Sequence, residues 1–268
     1  MIDPGSIDCS AFDRPEIILT LFHPRGESGW SPSGTAFEEL AIPTEKGVTI
    51  GGRFYFAAET SPTLLFFHGN GEIVEDYDDI AGAYLRLGIN FIPVDFRGYG
   101  RSTGNPGVTG MLRDCHYIFD FVNDIIRAKK ITGPLVVMGR SLGSASALEL
   151  AANYGDRVRG LVIESGFAYA LPLIRLLGVN TEGLGLSEEG GFNNLAKAKK
   201  YRGPLLVIHA EKDHIIPFTD GKALFEASPS ARKEFLEVKR ANHNNIFQYG
   251  INEYFRKIGE LVARASEG

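Results

Sequence analysis

The chain predicts an α/β protein with a mostly parallel central sheet and helices on both faces, and three observations carry that prediction. Short, wholly apolar runs recur, among them Leu64-Leu-Phe-Phe67, Pro134-Leu-Val-Val-Met138, Gly160-Leu-Val-Ile163 and Leu205-Leu-Val-Ile208. Strands covered on both faces read in this way, as unbroken hydrophobic segments. Longer stretches with helical spacing alternate with these runs, an order that favours parallel pairing. Several of the runs break at glycine-bearing turns, such as His68-Gly-Asn-Gly71 and Gly139-Arg-Ser-Leu-Gly143.

Taken in order, the chain starts with the apolar run Ile17 to Phe22 and a Gly-, Ser- and Pro-rich loop from Gly26 to Gly34. That segment is expected to pack on the outside of the domain. Phe37 to Pro43 and Val48 to Ala57 are strand-like and are separated by the turn Thr44-Glu-Lys-Gly47, so an antiparallel hairpin leads into the sheet. Then follow the strand Leu64 to Phe67, a helix from Glu72 to Leu87, the strand Ile89 to Asp95 and a helix from Met111 to Ala128. The strand Pro134 to Met138, a helix from Ser144 to Tyr154 and the strand ending at Ile163 complete the regular alternation. Between about Ala168 and Gly191 it breaks into a leucine-rich, glycine-rich excursion, which we expect to form a small lid over the sheet edge. The strand Leu205 to Ala210, a helix from Thr219 to Ala227, the strand Glu234 to Lys239 and a helix from Ile246 to Val262 close the chain.

With 268 residues, 44% of them apolar, the chain is long enough to bury one full core, and residues 1–268 read as a single domain. A net charge of −5 without a Lys or Arg run longer than pairs such as Lys199-Lys200 gives no footprint for nucleic acid or another polyanion. No apolar stretch is long enough to span a bilayer. The acidic start, Met1-Ile-Asp-Pro-Gly-Ser-Ile-Asp8, lacks the basic and apolar regions of a secretory signal, so a cytoplasmic protein is expected. Cys9 and Cys115 are expected to be two reduced thiols, Cys9 in a loose terminus.

Gly139-Arg-Ser-Leu-Gly143 follows a strand and opens a helix, the context of a nucleophile elbow, in which a sharp turn lifts one serine clear of the sheet. On its own the pentapeptide also suits an ordinary strand-to-helix loop. An acyl-transfer serine needs a base within hydrogen-bond reach and an acid to orient that base. Asp213 lies just past the strand Leu205 to Ala210, and His243 lies between the last strand and the last helix. Each also fits a plainer reading, Asp213 as turn chemistry and His243 as a solvated loop residue, and Glu164 after its own strand is an alternative acid. Three residue types, each just after a strand and in the order Ser141, Asp213, His243, favour the catalytic reading. His68-Gly-Asn-Gly71 is a turn able to aim backbone N–H groups at an oxyanion, with the N–H of Leu142 as the second donor. The other histidines are not at metal-ligand spacing, so neither metal nor cofactor is expected.

On these residues the chain resembles the α/β-hydrolase superfamily. Within it, the chain is similar to the serine-aminopeptidase-like hydrolases and to abhydrolase-domain proteins related to protein depalmitoylases. The carrying stretches are His68-Gly-Asn-Gly-Glu72, Asp95-Phe-Arg-Gly-Tyr-Gly-Arg-Ser102, Gly139-Arg-Ser-Leu-Gly143, Phe192-Asn-Asn-Leu-Ala-Lys197, Asp213-His-Ile-Ile-Pro217 and Asn242-His-Asn244. The resemblance implies Ser141 as nucleophile, His243 as base, Asp213 as acid, and Asn70 and Leu142 as oxyanion donors. Asn244-Asn245-Ile246 departs from the Asn or Asp plus aromatic that often follows the family's histidine. The cysteine clusters of the membrane-bound relatives are absent, so depalmitoylation does not carry over. The expected activity is hydrolysis of an ester, thioester or amide of a small to medium acyl substrate. Haloalkane and epoxide hydrolases of the same fold use an acidic nucleophile, and the elbow here carries serine. A non-catalytic binding module has no need of Ser141, Asp213 and His243 together.

Overall fold

The computed structural model describes residues 2–29 and 34–267, so the centre of the expected Gly26 to Gly34 loop, residues 30–33, lies outside the described residues. Eight strands form one sheet: β1 (Glu38–Pro43), β2 (Thr49–Phe54), β3 (Thr63–Phe67), β4 (Asn90–Val94), β5 (Leu135–Arg140), β6 (Gly160–Glu164), β7 (Leu205–Ala210) and β8 (Lys233–Val238). Their order is β1-β2-β4-β3-β5-β6-β7-β8. β2 is antiparallel to both β1 and β4, and the six strands from β4 to β8 run parallel.

Side chains of a strand alternate between the sheet's faces, and here the two faces enter separate cores. Leu65, Phe67, Val137, Leu161, Ile163 and Val207 join one core. Leu64, Phe66, Val136, Met138, Val162 and Leu206 join the other. This is why the strands read as unbroken apolar runs. Helices α3 (Val108–Ala128), α4 (Ser144–Asn153) and α7 (Phe218–Ala227) cover the first face, and α2 (Asp78–Arg86) and α8 (Ile246–Ser266) the second. Among the described residues no helix is long and apolar enough to cross a membrane.

The amino-terminal segment departs from expectation. It folds as two single-turn 3₁₀ helices (Pro4–Ser6 and Ser10–Phe12) and α1 (Pro15–Leu21), and it contributes fully buried Phe12 and Ile17 to the first core rather than resting on the surface. The Phe12 ring meets Phe192 edge-on with centroids 6.1 Å apart. Six residues, five of them apolar, are too few for the period to separate an inward from an outward face. Cys9 is likewise buried rather than loose: its N–H donates to Thr109 Oγ1 at 3.0 Å. Burial pushes its thiol up to about 11, and both cysteines are free.

The excursion between β6 and β7 contains α5 (Ala170–Leu176), a turn-rich stretch and α6 (Asn194–Ala198). Glu188 closes it on itself, its carboxylate accepting the N–H groups of Ala170 (2.9 Å) and Leu171 (2.8 Å) at the start of α5. Behind it, Glu149 of α4 accepts from Lys197 Nζ at 2.7 Å and lies 3.2 Å from His116 Nε2. Burial alone would raise the Glu149 carboxyl, but the His116 hydrogen bond and the Lys197 ammonium outweigh it and hold the group at about 2. A carboxyl lowered in the folded state stabilises above its unfolded value, near ~4.3, and loses that contribution as pH falls through the folded one. Glu149→Gln is therefore expected to destabilise by about 1.5–3 kcal/mol at pH 7. In urea unfolding the gap from wild type should narrow steadily below about pH 4.5; an equal gap at pH 7 and pH 3 contradicts this account.

Candidate active site

The turn after β5 holds Ser141 at φ +51°, a left-handed conformation that a non-glycine residue adopts only when its surroundings enforce it. Here the glycines on either side do so. A Cβ on Gly139 would overlap the carbonyl of Gly143, and one on Gly143 would overlap the carbonyl of Phe67 in β3. Only a bare backbone lets α4 start this close to two central strands. Ser144 Oγ then donates to the Ser141 carbonyl at 2.6 Å, which braces the turn from inside α4.

Ser141 is 7% exposed and His243 4%. His243 Nε2 lies 3.0 Å from Ser141 Oγ, and its Nδ1 lies 2.7 Å from Asp213 Oδ2. The other Asp213 oxygen accepts the backbone N–H groups of Ile215 (3.0 Å) and Ile216 (2.8 Å). Burial would raise the Asp213 carboxyl, but the His243 hydrogen bond and charge, with those two amides, outweigh it and hold it below the usual carboxylate range. An ionised Asp213 accepts a hydrogen bond from His243 Nδ1–H, which holds the proton on Nδ1 and leaves Nε2 free to accept from the serine.

Glu164, the alternative acid in the sequence, points elsewhere. It accepts from Arg140 Nε at 3.1 Å and from the Tyr254 hydroxyl at 2.7 Å. Arg140, between Gly139 and Ser141, links three loops at this edge of the sheet. Its Nη1 is 2.5 Å from Glu72 Oε1 after β3, and its Nη2 donates to the His243 carbonyl at 2.9 Å. The second Glu72 oxygen accepts the N–H of Gly69 at 2.7 Å and the Tyr77 hydroxyl at 2.6 Å. The sequence reading passed over Arg140 and Glu72. The available signal was an arginine closing an apolar strand, because a cation buried there needs carboxylate partners.

A cavity of about 270 Å³ opens onto this arrangement. Ser141, His243, Asn70 and Leu142 line it together, beside apolar Leu21 of α1, Phe167, Leu173 of α5, Leu177, Ile215 and Ile216. His23, just after α1 and before β1, reaches the same rim. Asn70 Oδ1 accepts the backbone N–H of His23 (2.8 Å) and the Tyr99 hydroxyl (2.7 Å). That orients the amide so that its Nδ2 donates to His23 Nδ1 at 2.8 Å. The segment before β1 thus ties down the turn that carries Asn70, and no local pattern in the sequence announces a contact spanning 47 residues. Among the described residues no group of three or more His, Cys, Asp or Glu is arranged to hold a metal ion.

Comparison with known proteins agrees with this architecture. Residues 58–178 match the family model described as serine aminopeptidase, S33. The matched stretch contains Asn70 and the Ser141 turn and ends before Asp213 and His243. Protein bem46 of Schizosaccharomyces pombe is 28% identical over 235 residues, covering 85% of this chain and 77% of bem46. Alpha/beta hydrolase domain-containing protein 17B of Homo sapiens is 28% identical over 284 residues, covering 97% of this chain and 92% of that protein. Among solved structures, the Pyrococcus furiosus esterase Pf2001 superposes with a TM-score of 0.74 at 19% identity, covering 91% of this chain and 98% of that one.

Proposed function

We propose that the chain is a serine hydrolase of the α/β-hydrolase superfamily, as its similarities suggest, and that it cleaves an ester, thioester or amide through an acyl-enzyme on Ser141. One observation carries the reading: a single imidazole, that of His243, bridges Ser141 Oγ at 3.0 Å and Asp213 Oδ2 at 2.7 Å. His243 takes the serine proton as Oγ attacks the carbonyl carbon, then gives it to the departing alcohol, thiol or amine. In the second half-reaction it takes a proton from water as the water oxygen attacks the acyl carbon, and returns that proton to Ser141 Oγ as the acyl–Oγ bond breaks and the acid leaves. Asp213 holds the tautomer and stabilises the imidazolium. The backbone N–H groups of Asn70 and Leu142 receive the oxyanion of each tetrahedral intermediate.

The acyl group occupies the side lined by Leu142, Phe167, Leu173 and Leu177. At about 270 Å³ this cavity lies just below the range of ligand sites, ~300 to ~1,000 Å³, and it supports small to medium acyl groups. The whole chain acts in this reading as one domain, with α5 and the turns after it as a lid. Carboxylic esters are the first class to test, since Pf2001 is described as an esterase.

Reaction with a fluorophosphonate followed by peptide mass spectrometry tests the nucleophile. One adduct is expected, on the peptide carrying Ser141, and an adduct elsewhere or none overturns the reading. A p-nitrophenyl ester series tests the pocket, with kcat/KM expected to peak at short to medium chains. Leu173→Trp should move that optimum to shorter acyl groups, and an unmoved optimum removes α5 from the acyl site.

A further inference from the structure

The opposite end of the sheet carries a cavity that the hydrolase reading does not use. Its volume is about 450 Å³, against about 270 Å³ at Ser141. Arg159, Lys200, Arg202 and Arg232 line it, with Asp156 as the one carboxylate among the described residues. The four cations come from three separate stretches that the sheet gathers. Arg159 immediately precedes β6, Lys200 and Arg202 lie on the approach to β7, and Arg232 immediately precedes β8. These strands are parallel neighbours, Leu161 pairing with Leu205 and Leu205 with Lys233. Adjacent strands are ~4.8 Å apart, so the three strand starts lie within ~10 Å.

Among the described residues, Arg159, Lys200 and Arg202 make no ion pair, and the Arg232 guanidinium reaches only the Arg264 carbonyl, at 3.5 Å. Elsewhere arginines hold carboxylates, as Arg97 holds Asp114 and Arg264 holds Glu234. The chain has acids to spare, with a net charge of −5, yet around this cavity the cations exceed them by four to one. Like charges sharing one concavity repel, and a bound anion relieves that repulsion. The floor is preformed. Buried Tyr201 donates its hydroxyl to the Val158 carbonyl at 3.0 Å, and Ser230 Oγ donates to the Gly203 carbonyl at 2.6 Å.

We propose that this cavity binds a phosphoanion, the phosphoryl group of a small molecule or of a lipid headgroup. The guanidinium forks of Arg159, Arg202 and Arg232 suit phosphate oxygens, which arginine engages bidentately, and Lys200 adds a point charge. A compact concavity fits a compact phosphoryl group rather than a nucleic-acid backbone, which calls for an extended basic groove. Strands of five or six residues separate this end from Ser141 by roughly 17–20 Å. A ligand held here therefore leaves the reacting atoms untouched.

The full chain is titrated with inorganic pyrophosphate by calorimetry and sedimented with phosphatidylcholine vesicles with and without phosphatidic acid. Saturable pyrophosphate binding, weakened at least ~10-fold by Arg159→Gln/Arg202→Gln, supports the site with a small phosphoanion as its ligand. Binding only to the vesicles that contain phosphatidic acid, lost in the same double variant, supports it with a headgroup as the ligand. Lys200→Gln, a change at an exposed side chain, carries the same comparison if the double variant unfolds and should weaken binding less. Ester hydrolysis should be unchanged in both variants. If neither probe binds, or the variants bind as tightly as wild type, the proposal is overturned.

Discussion

Ser141→Ala is expected to lower turnover of a short p-nitrophenyl ester by roughly 10⁴- to 10⁶-fold, the scale of losing a member that acts as one unit with its partners. The change removes one oxygen from a turn that the glycines, not the hydroxyl, hold in shape. Gly139 and Gly143 keep their close approach to the backbone, and Ser144 Oγ still reaches the residue 141 carbonyl. Relief of a β-carbon substituent at positive φ does not arise, since alanine keeps its Cβ, so the melting temperature should move little. Alanine with near-normal turnover would displace the nucleophile from Ser141. A loss of activity accompanied by a large drop in melting temperature would instead mean that the hydroxyl is structural.

The largest stability effect is expected at Arg140. Arg140→Leu leaves Glu72 and Glu164 facing each other without their shared cation, and breaking a buried pair in this way costs about 3–5 kcal/mol. The His243 carbonyl also loses its donor at 2.9 Å, so kcat should fall even in the fraction that stays folded. The pH dependence has a definite sign. Burial already raises the Glu164 carboxyl, with Arg140 opposing it. Without Arg140 the folded value rises further above the unfolded one, so the deficit is full above that folded value and shrinks as pH falls toward the unfolded value, near ~4.3. Arg140→Lys keeps the charge but cannot fork to three partners, and should be intermediate in both stability and kcat. Urea unfolding at pH 5 and pH 8 checks this, and a deficit that grows toward pH 5 rules the account out.

That network also marks where reading along the chain stops. Arg140, Glu72, Glu164 and the His243 carbonyl meet only because β3, β5 and β6 are neighbours and the loop after β8 folds over the same edge. Arg140 at the end of an apolar strand calls for carboxylate partners, but nothing along the chain says which carboxylates those are. His23 and Phe12 pose the same difficulty, because a short amphipathic stretch next to a loop reads as surface whatever it later packs against.

The strand and helix order, the antiparallel start and the turn around Ser141 were determined by the sequence itself. They rest on local physics: apolar runs covered on both faces, helical periodicity, and glycines where backbone must approach backbone. Partner choice was decided by tertiary structure. Asp213 rather than Glu164 stands 2.7 Å from His243, because Glu164 is already held by Arg140 and Tyr254. Likewise, a chain with no basic run gathers four cations from residues 159 to 232 into one cavity. Charges far apart along the chain become neighbours only when parallel strands bring their starting ends side by side.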